Sequence, residues 1–483
     1  LADFADVLIT ELDKAESWPL PREVWVHERV RERQAFRRGD RDVLMGLARW
    51  NEQTDGPTDR DYIVDPLARN IARAYADFLF SEDLEITAGT EQSQEELEEV
   101  AAENRLPAQL HRVERLIVSE GERWWKIHVN RDVAGVPLLG WVSRLSVVPC
   151  FYGDRLLACA FVSECGREQV SVGEDEQPWM RVWRHVEVHA DLRVVNVLYE
   201  GTSEELGDRV ALDTRPETAE VEEEWNHGLP MLAGRLVNDI DDDPTLGESE
   251  YDQVRDELLA LNEAMTIAVE NARLTGKDRI FAAGRLKRGD GTFDSSMEVF
   301  ELDEGGGTMG EGAGKPPIFA VEKVYDAEPL WLHIRNLVST TLNRVGLVPQ
   351  FVGQDADGRA ESGTAIRLRF LPTTNAAKGK AREWDAYLPV ILDLMLQVAG
   401  LSEKEGGFGR SYQKGELPSV ERGDVLPVDE GETIGDNATA VASEIRSREI
   451  AIRAQHPDWS DEQVNEEIGR IEQDVAPPEL PEP

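Results

Sequence analysis

The chain has 483 residues, with 52 Lys and Arg against 95 Asp and Glu, and so carries a formal charge of −43 with histidine neutral. That balance argues against a free-standing nucleic-acid binder, whose affinity comes from cations neutralising phosphates, and against an anionic membrane surface. With 41% hydrophobic residues the chain can still bury a sizeable core, and its length suits about two to four domains or one elaborate subunit.

The first third reads as helices. Ile63, Leu67, Ile71, Ala74 and Phe78 recur at helical spacing over 61–80, with Pro66 tolerable only near the start. A second helical stretch over 95–119 is acidic in its first half and is expected to break or kink at Pro107. Over 123–199 the period changes to two, with β-branched and aromatic runs between Gly, Asp and Pro, which predicts an antiparallel sheet. Cys150, Cys159 and Cys165 lie in this region without zinc-site spacing. Their odd number suits no disulfide framework, so they are expected as reduced core residues.

A long helix is predicted over 249–275, with Ser249 and Asp252 forming a capping-box-like start and Gly276 a stop. Its apolar seam runs through Tyr251, Val254, Leu258, Leu261, Met265, Ala268 and Ala272 in steps of three and four. Residues 277–326 revert to short strands and turns, and a second helix over 329–345 follows, carrying Leu330, Ile334 and Leu337 between Pro329 and Gly346. The two helices therefore bracket a small β module. A third helical region over 362–399 is expected to break around 372–379, and the acidic tail to hold helices over 438–455 and 460–475. Ser460 and Gln463 form a further capping box, and the Pro-rich end is expected to be disordered.

Several patterns invite chemistry. Gly305 to Lys315 ends in Gly-Lys like a P-loop, but Met309 stands where the first Gly belongs and Pro316 where Ser or Thr must hold magnesium. Asp239, Asp241, Asp243 and Glu250 match four positions of a calcium-binding EF-hand loop, while Pro244 replaces its turn glycine; an acidic surface turn is the plainer reading. His185, Glu187 and His189 would share one strand face, as a metal face or, more simply, a solvated one. No catalytic grouping stands out, and neither enzyme activity nor a cofactor is expected. Arg359, Arg367, Arg369, Lys378, Lys380 and Arg382 gather positive charge in an acidic chain. Asn375 to Lys380 would suit a flexible loop touching phosphate; the alternative is ordinary solvated charge paired with Glu361 or Glu383.

The order of parts resembles the portal proteins of tailed bacteriophages, actinophage portals in particular. The resemblance is carried by Asn70-Ile71-Ala72 through Phe80-Ser81-Glu82-Asp83-Leu84, by Leu246-Gly247-Glu248-Ser249 before the first long helix, and by Glu361-Ser362-Gly363-Thr364-Ala365-Ile366-Arg367 after the second. In the tail, Ser447 to Ile452, His456 to Ser460, and Glu466-Glu467 also match. Ser81 and Leu84 depart from the family's Phe-Gly-Glu-x-Pro-type end.

The resemblance implies an α+β subunit. Its parts would be an N-terminal wing over 1–246, a first stem helix over 247–276, a clip over 277–326 and a second stem helix over 327–346. A tunnel-loop region and wing helix over 347–400 and a crown with acidic tail over 401–483 would complete it. It further implies a ring of about twelve copies at one capsid vertex in the virion, assembled in the host cytoplasm, that passes double-stranded DNA during packaging and ejection. The partners implied are the major capsid protein, the terminase large subunit, and scaffolding and head-tail adaptor proteins. Acidic walls would let DNA slide where many Lys and Arg would trap it. On this reading Lys378, Lys380, Arg382 and Arg359 are candidate DNA-proximal residues. Val254, Leu258, Leu261, Met265, Ile334 and Leu337 are candidate stem-packing residues, expected to bury against neighbouring subunits.

No apolar run approaches the roughly 20 residues that span a bilayer, and no signal peptide is evident, so a soluble protein without a membrane partner is expected. Leu1 as the first residue suggests that a short leading segment is missing. A non-viral acidic adaptor oligomer and a metal-dependent nuclease built on Asp239 to Glu250 are the competing readings.

Overall fold

Ala5, Leu8, Ile9 and Leu12 recur at helical spacing and form the buried face of α1 (Phe4–Asp13), which Asp3 caps by accepting the Ala5 N–H at 3.0 Å. The computed structural model describes residues 3–48, 62–80, 84–170, 178–239, 245–275, 279–283, 299–302, 319–321, 327–352, 363–410, 412, 417–422, 439, 441, 443, 447–456 and 459–475. Within them the chain is α+β. It divides into two compact units, Leu1–Asp355 with Pro372–Glu421, and Ala356–Leu371 with Arg422–Pro483.

In the first unit α1 is followed by α2 (Val24–Arg38), α3 (Arg41–Leu47) and α4 (Leu67–Phe80), then by β1 (Glu85–Thr87), α5 (Glu91–Glu103) and α6 (Leu106–Glu120). The predicted helix over 95–119 is thus two helices. Arg105 turns left-handed between them, and Pro107 sits in the first turn of α6, where its missing N–H has no partner to lose.

The strands that follow form two antiparallel sheets. β2 (Glu122–His128) pairs with β3 (Leu138–Val142) on one side and with β10 (Ala233–Val237) on the other. The larger sheet runs β4 (Val147–Tyr152), β5 (Arg155–Val170), β6 (Trp179–Ala190), β7 (Arg193–Gly201), β8 (Asp208–Val210), with β9 (Glu224–Asn226) also on β7. Period-two alternation gives each strand two faces. Ala158, Ala160, Val162, Val186, Val188, Val197 and Tyr199 meet α1 in one core, each large side chain contributing about 1.5–3 kcal/mol by leaving water. Cys159 and Phe161 face the other way and meet Trp124 of β2, so the small sheet stacks on the large one. The reverse face of the small sheet, with Trp125 and Ile127, packs on α5 and α6. Cys159 is fully buried, and all three cysteines are free thiols.

α7 (Arg255–Thr275), preceded by a short 3-10 turn over Asp252–Val254, and α8 (Glu328–Arg344) join α2, α3 and α4 in one core. Between α7 and α8 lie β11 (Arg279–Ala283), β12 (Val299–Leu302) and β13 (Phe319–Val321), a small sheet with β11 at its centre, parallel to β12 and antiparallel to β13. The glycine-rich stretch Gly305 to Lys315 lies outside the described residues.

α9 (Gly363–Gly400) is one continuous helix with Pro372 and Pro389 inside it, which corrects the expected break at 372–379. Proline removes a helical hydrogen bond and should cost about 3 kcal/mol. Tertiary contacts offset that cost: the Thr373 hydroxyl donates to Gly346 O at 3.0 Å and accepts the Val348 N–H at 3.2 Å, and Ala377 is buried. β14 (Ser419–Glu421) pairs with β1. In the second unit α10 (Arg448–Gln455) starts where Ser447 caps it by accepting the Ile450 N–H; upstream in the predicted stretch over 438–455, Thr439 and Val441 are helical as well, and Ser443 N–H donates to Thr439 O at 2.9 Å. α11 (Asp461–Val475) starts at the Ser460 and Gln463 pair, each side chain bonded to the other's backbone N–H as in a capping box.

A close backbone approach joins α6 to the segment before α7. Gly121 ends α6 at φ 94°, and a Cβ there would stand 2.2 Å from Gly247 O; a Cβ on Gly247 would stand equally close to Gly121 O. Gly121→Ala should therefore destabilise the first unit by about 2 kcal/mol or more through clash and backbone strain, read as a lower urea midpoint. An unchanged midpoint would show that the two segments can part freely.

Candidate functional site

The Leu246 to Ser249 segment, singled out in the sequence, is the junction on which α7 is hung. Glu122, fully buried on β2, accepts the Gly247 N–H at 3.0 Å and the Trp124 indole N–H at 2.9 Å, and pairs with Arg144 and Arg235. Arg144 is itself 1% exposed and also pairs with Glu23 at 2.6 Å. Buried carboxylates in this position need partnered cations. Arg33 of α2 donates to Glu120 O at 2.7 Å and Gly247 O at 2.9 Å and forms an ion pair with Asp252. Asp252 accepts the Ser249 N–H at 3.1 Å while Ser249 Oγ accepts the Tyr251 N–H at 3.1 Å, so the start of α7 is capped from both sides.

The α7 seam lies against α8 and α4 of the same chain. Val254, Leu258, Leu261 and Ile334 are buried and Met265 and Leu337 half-buried in a single core. For Val254, Leu258, Leu261 and Ile334 the expectation of burial against neighbouring subunits is corrected: their partners are intramolecular. Helix α4 supplies Leu67, Ile71, Ala74 and Tyr75 from one face, and that face covers the seam. The exposed side of α8 carries Trp331 and Leu332, 44% and 51% exposed. Arg344 near the end of α8 pairs with Glu257 near the start of α7, as the antiparallel arrangement requires.

The basic stretch does not behave as one unit. Lys378 and Arg382 are exposed on α9, whereas Lys380 is 9% exposed. Lys380 Nζ donates to Asn238 Oδ1 at 2.5 Å and to Glu250, and lies 4.7 Å from the centre of the Tyr75 ring. Burial, with Glu250 and Glu114 nearby, pushes the Tyr75 hydroxyl pKa well up, so it stays a neutral donor. The reading of Lys380 as a loop residue touching phosphate is therefore corrected, and its partner is Glu250, 130 residues away, rather than Glu383. Thr373, Ala377, Lys380, Trp384, Leu388 and Ile391 form the buried stripe of α9 at steps of three and four. Had that period been followed upstream from Trp384, it would have placed Lys380 inside and Lys378 and Arg382 outside. Arg359 lies outside the described residues.

Glu250, the last position of the EF-hand-like pattern, is occupied by Lys380 and Asn238, while Asp241, Asp243 and Pro244 lie outside the described residues. Among the described residues no group of His, Cys, Asp and Glu side chains is arranged to hold a metal. His185, Glu187 and His189 share a face of β6, but that face is neither solvated nor a metal face; it is the inter-sheet layer. Glu187 accepts His189 Nε2 at 2.6 Å and pairs with Lys126 of β2. Burial opposes its ionisation, yet His189 and Lys126 outweigh it and hold the carboxyl well below its ordinary range. Sequence reading missed this because two-sided burial looks the same as alternation with one wet face.

Two further histidines are held neutral. His27 is lowered to about 4 by burial and then by Arg144 and Arg31, and His227 to about 4 by burial and then by His189. They are only 4% and 3% exposed. The unfolded chain, with histidine near 6.5, binds protons at these positions before the folded one does. Their contribution is thus complete above about pH 6.5 and lost as pH falls toward 4, up to about 3 kcal/mol for each. His27→Gln and His227→Asn should each reduce the fall in urea midpoint between about pH 7 and pH 5. An identical fall in both variants would assign the acid sensitivity to carboxylates.

The fold thus offers a braced helix pair, a small β module between its members and a long helix with exposed cations. No family model matches this chain, and no curated protein matches it.

Proposed function

We propose that this chain is a structural subunit of a portal ring at a capsid vertex, a conduit for double-stranded DNA without catalytic activity of its own. The observation that carries the reading is the antiparallel α7–α8 pair interrupted by a three-stranded module, entered through the Leu246 to Ser249 junction and followed by the long α9. This is the order of stem, clip, stem and wing helix that the resemblance implies. The charge of −43 supports it physically, because an acidic wall repels phosphate and leaves a smooth path, while exposed Lys378 and Arg382 can steady the DNA without trapping it.

Ring closure would use a head-to-tail interface, the same two surfaces repeated around an axis. The exposed Trp331 and Leu332 of α8 are candidates for it. Bound terminase would supply the packaging ATPase, and capsid, scaffolding and adaptor proteins would dock around the ring.

Negative-stain electron microscopy of the purified chain, alone and with capsid protein, is the test. Rings with an axial channel are expected. Compact monomers or dimers under both conditions would remove the proposal and leave the acidic adaptor reading standing.

A further inference from the structure

A cavity of about 270 Å³ opens where the α1–α2 connection and α2 lie across the large sheet. Trp18, His27, Arg31, Ser146, Glu164 and Arg184 are among the residues that line it. Its lining is uncommon for so acidic a chain. Arg184 is 6% exposed, yet among the described residues its guanidinium hydrogen-bonds to no carboxylate: it donates to Glu205 O at 3.0 Å and Ser203 O at 3.4 Å and lies 5.8 Å from the Trp18 ring centre. Arg31 is exposed at the rim and forms no ion pair among the described residues. Glu164, the acidic residue in the lining, is engaged by Arg167 through two hydrogen bonds of 2.9 and 2.8 Å. Glu164 lies opposite Arg184 in the β5–β6 register and favours the charged guanidinium, but burial outweighs it, so the desolvation cost of Arg184 is only partly offset, and Arg31 adds a second cation to the same lining.

We propose that this cavity is a binding site for a compact oxyanion of phosphate or dicarboxylate type, held between Arg184 and Arg31 with the Ser146 hydroxyl and the His27 ring as further polar contacts. The volume lies just under the range of about 300–1,000 Å³ filled by drug-sized ligands, so the occupant is small. Two guanidiniums favour a dianion over a monoanion, and guanidinium forks match the planar or tetrahedral oxygens of such groups. Arg184 is pre-positioned by its two carbonyl partners and by Trp18, which lowers the ordering cost on binding. The site lies apart from α7, α8 and α9 in sequence and does not depend on the portal reading.

The test is calorimetric titration of the full chain at constant ionic strength with inorganic phosphate, malonate, dimethyl phosphate and glycerol. Saturable binding of phosphate or malonate with a dissociation constant near 1 mM or tighter is expected, with dimethyl phosphate weaker and glycerol silent. A preference for phosphate identifies a phosphate ligand, and a preference for malonate a carboxylate one. Arg31→Gln alters an exposed, unpaired side chain and should leave thermal stability unchanged while weakening binding about tenfold. Arg184→Gln should abolish binding. The proposal is overturned by no binding of phosphate or malonate at about 10 mM, by binding that survives in Arg31→Gln at full strength, or by glycerol binding as well as the anions.

Discussion

Lys380→Glu is expected to unfold or grossly destabilise the first unit, whereas Lys378→Glu, two residues away on the same helix, is expected to change stability by no more than about 0.5 kcal/mol. The wild-type ammonium is 9% exposed and held by Glu250 and Asn238. A glutamate in its place sets two carboxylates against each other in a dry site and leaves Glu250 without a cation. Breaking a buried pair costs about 3–5 kcal/mol, and repulsion adds to that, against a total stability of about 5–15 kcal/mol. The double variant Lys380→Glu with Glu250→Lys should recover part of the loss, which separates charge pairing from packing. Urea midpoints at matched slope measure all three. Equal effects of the two single lysine variants would refute the buried-pair assignment.

The second large effect is at the centre of the helix pair. Leu261 is fully buried in the core shared by α4, α7 and α8, and Leu261→Asp removes its contacts while burying an unpaired carboxylate. The lost packing alone is worth about 2–5 kcal/mol, and the desolvated carboxylate several more, while the change in helix propensity is below about 0.7 kcal/mol. Because the seam is satisfied within one chain, the isolated monomer should lose its cooperative thermal transition, not merely its ability to assemble. Leu261→Ala should stay folded with a lowered midpoint. A Leu261→Asp monomer with wild-type melting, failing only in assembly, would return the seam to a subunit interface.

Where local chemistry and tertiary environment agree, the sequence was legible. The start of α7 is set by Ser249 and Asp252, which bond each other's neighbourhood over three residues. α11 begins at Ser460 and Gln463 for the same reason. Pro107 marks the break between α5 and α6, while the left-handed turn at Arg105 that makes it has no strong sequence signal. The helices α1, α2 and α3 were read only as a generally helical opening third. In α2 the arginines Arg33 and Arg37 lie on the inner face, where they pair with Asp252 and Glu120, so an apolar stripe is diluted by buried cations.

By itself the sequence determined the alternation of helices with antiparallel strands, the placing of a β module between two helices, and the seam of Val254, Leu258 and Leu261. Periodicity and capping act over three to seven residues, and the pattern survives in the chain read as a string. Only the tertiary structure decided that α9 runs unbroken through Pro372, that Lys380 is buried while Lys378 is exposed, that Glu187 lies between two sheets, and that Arg184 and Arg31 line one cavity. Those outcomes depend on groups brought together from distant positions, Glu250 with Lys380 and Lys126 with Glu187 among them. A charged side chain has the same local signature in water as in a buried pair, and what separates the two states is the partner and the dielectric that folding places around it.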